Sequence, residues 1–175
     1  MTTRQRAPSA ARELLTALDR ALVPACLLGR RLDVLAQNRL SAALLTDFAA
    51  RAPAERNHAR FVFTDPHARD LFTDWDAVAA ATAALLHQDA RRNPHDPALA
   101  ELVGDLSIRS VGFAGHWARP HPRPQPVQTL WHPLVGELTV TCQVLRSAGG
   151  FLLVQTAEAG SPSEAALALL AQLVA

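Results

Sequence analysis

The sequence predicts an α+β domain: a five-stranded antiparallel sheet, a helical middle segment covering one face of it, and a flanking helix at each end. Three observations predict this. Glu137–Val144 alternates, with Leu138, Val140, Cys142 and Val144 in one phase and Glu137, Thr139, Thr141 and Gln143 in the other, the pattern of a strand with one buried face. Apolar residues recur at helical spacing in Leu14, Leu15, Leu18 and Leu22, and again in Trp75, Val78, Ala79, Thr82, Leu85 and Leu86. Two short apolar runs, Ala25–Leu28 and Leu32–Ala36, flank Gly29-Arg30-Arg31 and read as a hairpin.

Taken in order, residues 1–9 are polar and aperiodic and read as a frayed tail, with the domain running over 10–175. A first helix, 10–22, stops before Pro24, which removes a donor and restricts the residue before it. After the hairpin, Asn38 reads as the N-cap of a helix over Arg39–Phe48. Glu55–Phe63 predicts a short helix, and Asp74 the cap of a longer one. Asp96-Pro97 places Pro at the first position of a helix carrying Leu99, Leu102, Val103 and Leu106. Ser110–Trp117 is a further short helix, weakened by Gly112 and Gly115.

The period then changes. Pro120, Pro122, Pro124 and Pro126 alternate, which predicts an extended linker. Val127–Trp131, Glu137–Val144 and Phe151–Thr156 are the last three strands, with a turn at Gly149-Gly150. Ser161-Pro162-Ser163-Glu164 is a capping box that opens a terminal helix over 163–174. Antiparallel strands with helices gathered on one face make an α+β layer arrangement.

Composition narrows the function. The 175 residues suit one domain with a core of ordinary size. A formal charge of +1 argues against a dominant nucleic-acid surface, and all 17 basic residues are Arg. Cys26 and Cys142 both sit in apolar segments and read as buried free thiols. The N-terminus has no apolar core of a signal peptide, and no run reaches the length of a membrane span, so the expectation is a soluble cytoplasmic protein. No enzyme is expected. There is no Gly-x-Ser-x-Gly, no phosphate-cradling loop and no His-Glu-x-x-His, and a thiol on the apolar face of a strand is inert. His116, His121 and His132 match no standard metal spacing, so no metal or cofactor is expected beyond a possible bound hydrophobic ligand.

A spaced set of short blocks says more. They are Leu32–Asn38, Glu55–Asn57, Phe63–Pro66, Asp74–Trp75, Ser110–Trp117, His132–Gly136 and Gly160–Ser163. In this order they resemble the ligand-binding domain of the MmyB-like transcription regulators, bacterial helix-turn-helix proteins with a PAS-like sensor half, from about Leu14 to Leu173. The strand and helix order is also that of PAS domains. The resemblance implies a PAS-like fold that senses a small hydrophobic, fatty-acid-like ligand. Too few residues precede the Leu14 helix to hold the family's helix-turn-helix, so the chain reads as a sensor detached from its DNA-binding half, making no direct contact with nucleic acid itself.

The resemblance makes Arg56 and Asn57 candidates for the polar end of a ligand, since Arg grips a carboxylate bidentately. The alternative is that both tie down a helix end through the backbone. Leu138, Val140 and Cys142 would form the floor of a pocket, and Phe61, Phe63, Trp75, Phe113 and Trp117 its lid, or all eight are simply core. His132, in the family's His-Pro-x-Val-Gly block, either faces the pocket or belongs to a turn in which Pro133 and Gly136 set the backbone. The chain departs from the family at Gln37, Cys26 and His121, in the proline-rich loop, and in having no Tyr, which implies a different ligand or none. The competing function is a ligand-free interaction module, dimerising through helices 10–22 and 163–174 or pairing with a helix-turn-helix partner.

Overall fold

A computed structural model describes residues 5–119, 126–147 and 150–175. Helix α1 (Ser9–Arg20) leads into strands β1 (Ala25–Leu28) and β2 (Val34–Gln37). The helical middle comprises α2 (Arg39–Leu44), α3 (His58–Thr64), α4 (Pro66–Leu71), α5 (Trp75–Arg92), α6 (Pro97–Arg109) and α7 (Val111–Trp117). Strands β3 (Val127–His132), β4 (Gly136–Ser147) and β5 (Gly150–Thr156) follow, and α8 (Pro162–Leu173) closes the chain. The strands form one antiparallel sheet in the order β2-β1-β5-β4-β3, so the first hairpin and the last strand meet at its centre. This is the α+β arrangement expected from the sequence.

Every residue of β1 is buried because the sheet is covered on both sides there. Cys26 and Leu28 face the main core beneath the helical middle. Ala25 and Leu27 face the other way and pack with Ala7, Leu15 and Val154 under α1. Residues 5–8, in the stretch expected to be a tail, lie against this side: Ala7 is buried and the Gln5 side chain accepts from the Arg30 amide.

The expected caps form, and Ser110 caps its helix as well. The side chains of Asn38, Asp74, Asp96, Ser110 and Ser161 each accept a backbone N–H from the first turn of their helix. Glu164 completes its box by accepting from Gly160 rather than from the cap residue itself. Gly136 has φ +75°, the left-handed conformation expected before the long strand. Gly150 is needed for space, since a Cβ there would come 1.9 Å from the Leu28 carbonyl oxygen. Its partner in the expected turn, Gly149, lies outside the described residues, as does the proline linker over 120–125.

Helix α1 ends at Arg20 rather than 22 and β4 runs on to Ser147 rather than Val144; three other boundaries differ from the expectation, each through a bond to another segment. The helix expected to reach Phe48 stops at Leu44, because the Gln37 amide donates to the Thr46 carbonyl and accepts from the Phe48 amide. Residues 46–48 are drawn out of the helix and Phe48 is buried. The expected helix Glu55–Phe63 is a 3-10 turn at Pro53–Glu55 and a separate α3, broken where Asn57 pairs with Asp33 across a β-bridge. The strand expected from Leu32 begins at Val34. Arg30–Leu32 is instead a 3-10 turn, with Arg31 and Leu32 at φ 59° and 61°. That strained pair is held from outside: the Arg31 amide donates to Asp89 and its carbonyl accepts from Asn57. Helix α4 was not expected, although Asp65-Pro66 is the same cap-and-proline signal as Asp96-Pro97.

Candidate functional site

The inner face of the sheet is filled at one end and open at the other. Near the β3–β4 turn, Leu130, Leu138 and Val140 are fully packed. Beyond Cys142, β4 runs past the helices that cover it, and Val144 is 38% exposed although it stands in the same phase as Leu138. Between this stretch and the helices lies a cavity of ≈ 40 Å³. Its apolar lining includes Leu45, Phe72, Val78, Leu85, Val144 and Leu153, and its polar lining His58, Thr82, Gln128, Cys142 and Gln155. A wider cleft of ≈ 270 Å³ shares Val78 and Gln128 with it and opens between the start of α5 and β3, past Thr73 and Asp74.

His58 is the unusual group here. It is 6% exposed, and its Nδ1 is buried without a hydrogen-bond partner among the described residues. Asn57 caps α3, so His58 is the first residue of the helix and its place is set by that cap. Burial pushes its pKa down to about 4, so the ring is neutral at pH 7. Burial also pushes the Cys142 thiol up to about 11, which leaves it protonated and without nucleophilic character. Thr82 spends its hydroxyl on the Val78 carbonyl.

The aromatic residues expected as a lid form two packed groups, because Phe61 and Phe63 leave α3 on different sides. Phe61 meets Phe48 edge-on at 5.7 Å and Phe72 at 6.4 Å. Phe63 meets Phe113 at 4.9 Å and Trp75 at 5.9 Å. The Trp75 indole N–H donates to the Val62 carbonyl, and Trp117 stacks on His87 at 3.7 Å. Among the expected residues Cys142 lines the cavity, whereas Leu138 and Val140 are core beside it.

Arg56 and Asn57 are placed elsewhere, with backbone partners. The Arg56 guanidinium donates to the carbonyls of Ala49 and Arg51, and lines a separate surface cleft with Arg12 and Arg31. Asn57 donates to the Arg31 carbonyl and to Asp33 while capping α3. His132 is 4% exposed and bonded at both nitrogens: Nδ1 accepts from the Leu134 amide, so Nε2 carries the proton and donates to the Ala43 carbonyl. It clamps the β3–β4 turn to α2.

His58, Gln128 and Gln155 were not singled out from the sequence. Gln155 carried a signal, as a polar residue in the inward phase of an otherwise apolar strand two positions after Leu153. His58 carried only its position after a capping Asn. Among the described residues no cluster of three or more His, Cys, Asp or Glu could hold a metal ion, and no helix is long and apolar enough to cross a membrane.

Comparison with known proteins agrees with the blocks read from the sequence. A search of curated proteins finds no match. A family profile described as the MmyB-like transcription regulator ligand binding domain matches residues 7–170, from the docked N-terminal segment to the last turn of α8. With a sheet covered by short helices and a cavity between them, the chain belongs to the family of MmyB-like transcription regulator ligand-binding domains.

Proposed function

We propose that this chain senses a small hydrophobic molecule, fatty-acid-like in its apolar body, bound between the sheet and helices α3 and α5. It would serve as the sensor of a bacterial transcription regulator. The observation that carries this reading is the mostly apolar cavity, whose lining residues include His58, a buried histidine with an unpartnered Nδ1. Buried polar groups are almost always bonded, and the exceptions concentrate at sites with a task. Ligand pockets of this kind are mostly apolar with a few convergent polar groups.

The cavity is far smaller than such a ligand, so binding requires β4 and α5 to part around Val144 and Leu85. Helix α5 is tied at its other end to the β1–β2 connection, where Asp89 accepts from the Arg31 amide. The same connection holds the N-terminal segment through Arg30 and Gln5. A shift of α5 would therefore reach the α1 side of the sheet, and ligand preference for the opened form would bias pairing with a second copy or a helix-turn-helix partner. In this reading Arg56 holds the loop before α3 rather than a carboxylate.

Native mass spectra of the gently purified protein test the proposal, with the expected result an added mass that leaves on denaturation. A bare mass, together with no thermal shift from any hydrophobic probe, would remove it. A ligand-free interaction module is the second reading, favoured by the exposed Leu14 and Leu22 of the first helical region and Leu169 and Leu173 of α8. A strict monomer at high concentration would count against that one.

A further inference from the structure

The surface cleft beside Arg56 is separate from the cavity under the sheet. Its volume is ≈ 650 Å³, within the range of small-molecule sites. Its lining comes from the N-terminal segment and α1, from Val34 and Leu35 of β2, and from the turn that ends at Arg56. The N-terminal segment is fixed in place: Gln5 accepts from the Arg30 amide at 2.9 Å, and Ala7 is buried.

Four arginines line this cleft, Arg6, Arg12, Arg31 and Arg56, against a single carboxylate, Asp33. That carboxylate is already taken on both oxygens. One accepts from Arg31 Nη2 and the other from Asn57 Nδ2. Arg31 in turn is balanced by Asp33 and Asp96. Half-buried Arg56 is held by the carbonyls of Ala49 and Arg51, which orient its guanidinium and leave its charge whole. Arg6 and Arg12 are exposed, and their guanidiniums have no partner among the described residues. The residues outside that set include no Asp or Glu, so they supply no counter-charge. Three guanidiniums therefore share one cleft in which no carboxylate is free to pair with them. Arginine cannot lose its proton in a protein, so their mutual repulsion is relieved by an anion from outside.

We propose that this cleft binds a small organic anion with two or more negative charges, a polycarboxylate or a phosphate ester. Arg56 would meet it from the turn before α3, and Arg6 and Arg12 from the N-terminal side. Val34 and Leu35 offer apolar surface to its carbon body. The arginine fork matches carboxylate and phosphate oxygens alike. The site is independent of the cavity under the sheet, and it gives the domain a polar ligand besides a hydrophobic one.

The test is titration of the full chain with citrate, phenyl phosphate and acetate at pH 7.5 and low salt, followed by NMR of the arginine Nε–H groups. Citrate or phenyl phosphate is expected to bind at a single site, at least about tenfold tighter than acetate, and to weaken as salt rises. Binding is expected to move the Arg56 resonance. The tighter of the two identifies the anionic group, polycarboxylate or phosphate. Arg6→Gln combined with Arg12→Gln is expected to weaken it by about tenfold, the loss of two exposed ion pairs. Thermal stability is expected to stay unchanged, since neither side chain has a partner to lose. Arg91→Gln combined with Arg92→Gln removes the same charge from the exposed end of α5 and is expected to leave binding as it is. Equal losses in the two double variants, or binding no tighter than that of acetate, would reduce the cleft to a diffuse positive surface and overturn the inference. Binding that leaves the Arg56 resonance unmoved would overturn it too. None of these outcomes touches the hydrophobic ligand of the cavity, which native mass spectra test separately.

Discussion

Two buried histidines stand at opposite ends of the same sheet face, and they differ in what surrounds them. His132 lies beside the filled end, with both ring nitrogens bonded to backbone groups of neighbouring elements. His58 lies at the open end with a nitrogen unpaired, against a cavity. Their burial is nearly equal, so burial does not separate a structural group from a candidate site group. Hydrogen-bond satisfaction does. A satisfied buried polar group holds two elements in register, whereas an unsatisfied one costs stability until something arrives to pair it.

The comparison is sharpened first by the apolar packing of the two ends. Phe61→Ala on the packed side is expected to cost about 3–5 kcal/mol, since the void cannot collapse among Phe48 and Phe72. Val144→Ala at the open end is expected to cost less than about 1 kcal/mol, because its side chain is already partly in solvent. Urea denaturation of both variants measures the difference, and equal costs would mean that the two ends are packed alike.

The histidines themselves come next. His132→Leu leaves the Ala43 carbonyl and the Leu134 amide without their partner, at an expected cost of about 1–3 kcal/mol. His58→Leu removes an unsatisfied group and is expected to be neutral or stabilising at pH 7.5. A loss of stability in His58→Leu equal to that in His132→Leu would break the distinction.

Acid titration gives a third test. The folded pKa of His58 is about 4 against an ordinary 6.5, so between those values the unfolded chain binds the proton and the folded chain does not. Stability is therefore complete above pH 6.5 and falls as the pH drops, by roughly 3 kcal/mol at pH 4 for this one group. His132 is shifted the same way, by burial, and adds to the slope. Asp96 and Asp105 are held below the usual carboxylate value beside arginines, so their contributions are lost only at lower pH. His58→Leu is expected to flatten the dependence between pH 6.5 and 4, and an unchanged slope would mean that the ring is not buried as neutral.

The strained connection gives a fourth test. Asn57→Asp keeps a capping oxygen but loses the N–H bonds to the Arg31 carbonyl and Asp33. It places a second carboxylate beside Asp33, and a cost of about 1–2 kcal/mol is expected by thermal denaturation.

Much of this molecule was determined by local sequence. The five strands, the long helices and their caps follow from period and from single residues such as Asn38, Asp74, Asp96 and Ser161, because a cap or an alternation acts within a few residues of itself. The ordered blocks likewise carried the family. What the tertiary structure decided lies where distant segments share a bond: the early end of α2 at Gln37, the break before α3 at Asn57, and the left-handed turn at Arg31 and Leu32. The candidate site belongs to the same class. Arg56 and Asn57 have the right chemistry for a ligand, but Asn57 is taken up by the Arg31 carbonyl and the Asp33 carboxylate, 26 and 24 residues away, and Arg56 by carbonyls of the preceding loop. His58 gained its place only when α3, α5 and the ends of β4 and β5 met around a space that none of them fills. Whether a polar side chain is paired depends on every neighbour at once, and one-dimensional spacing carries no record of that.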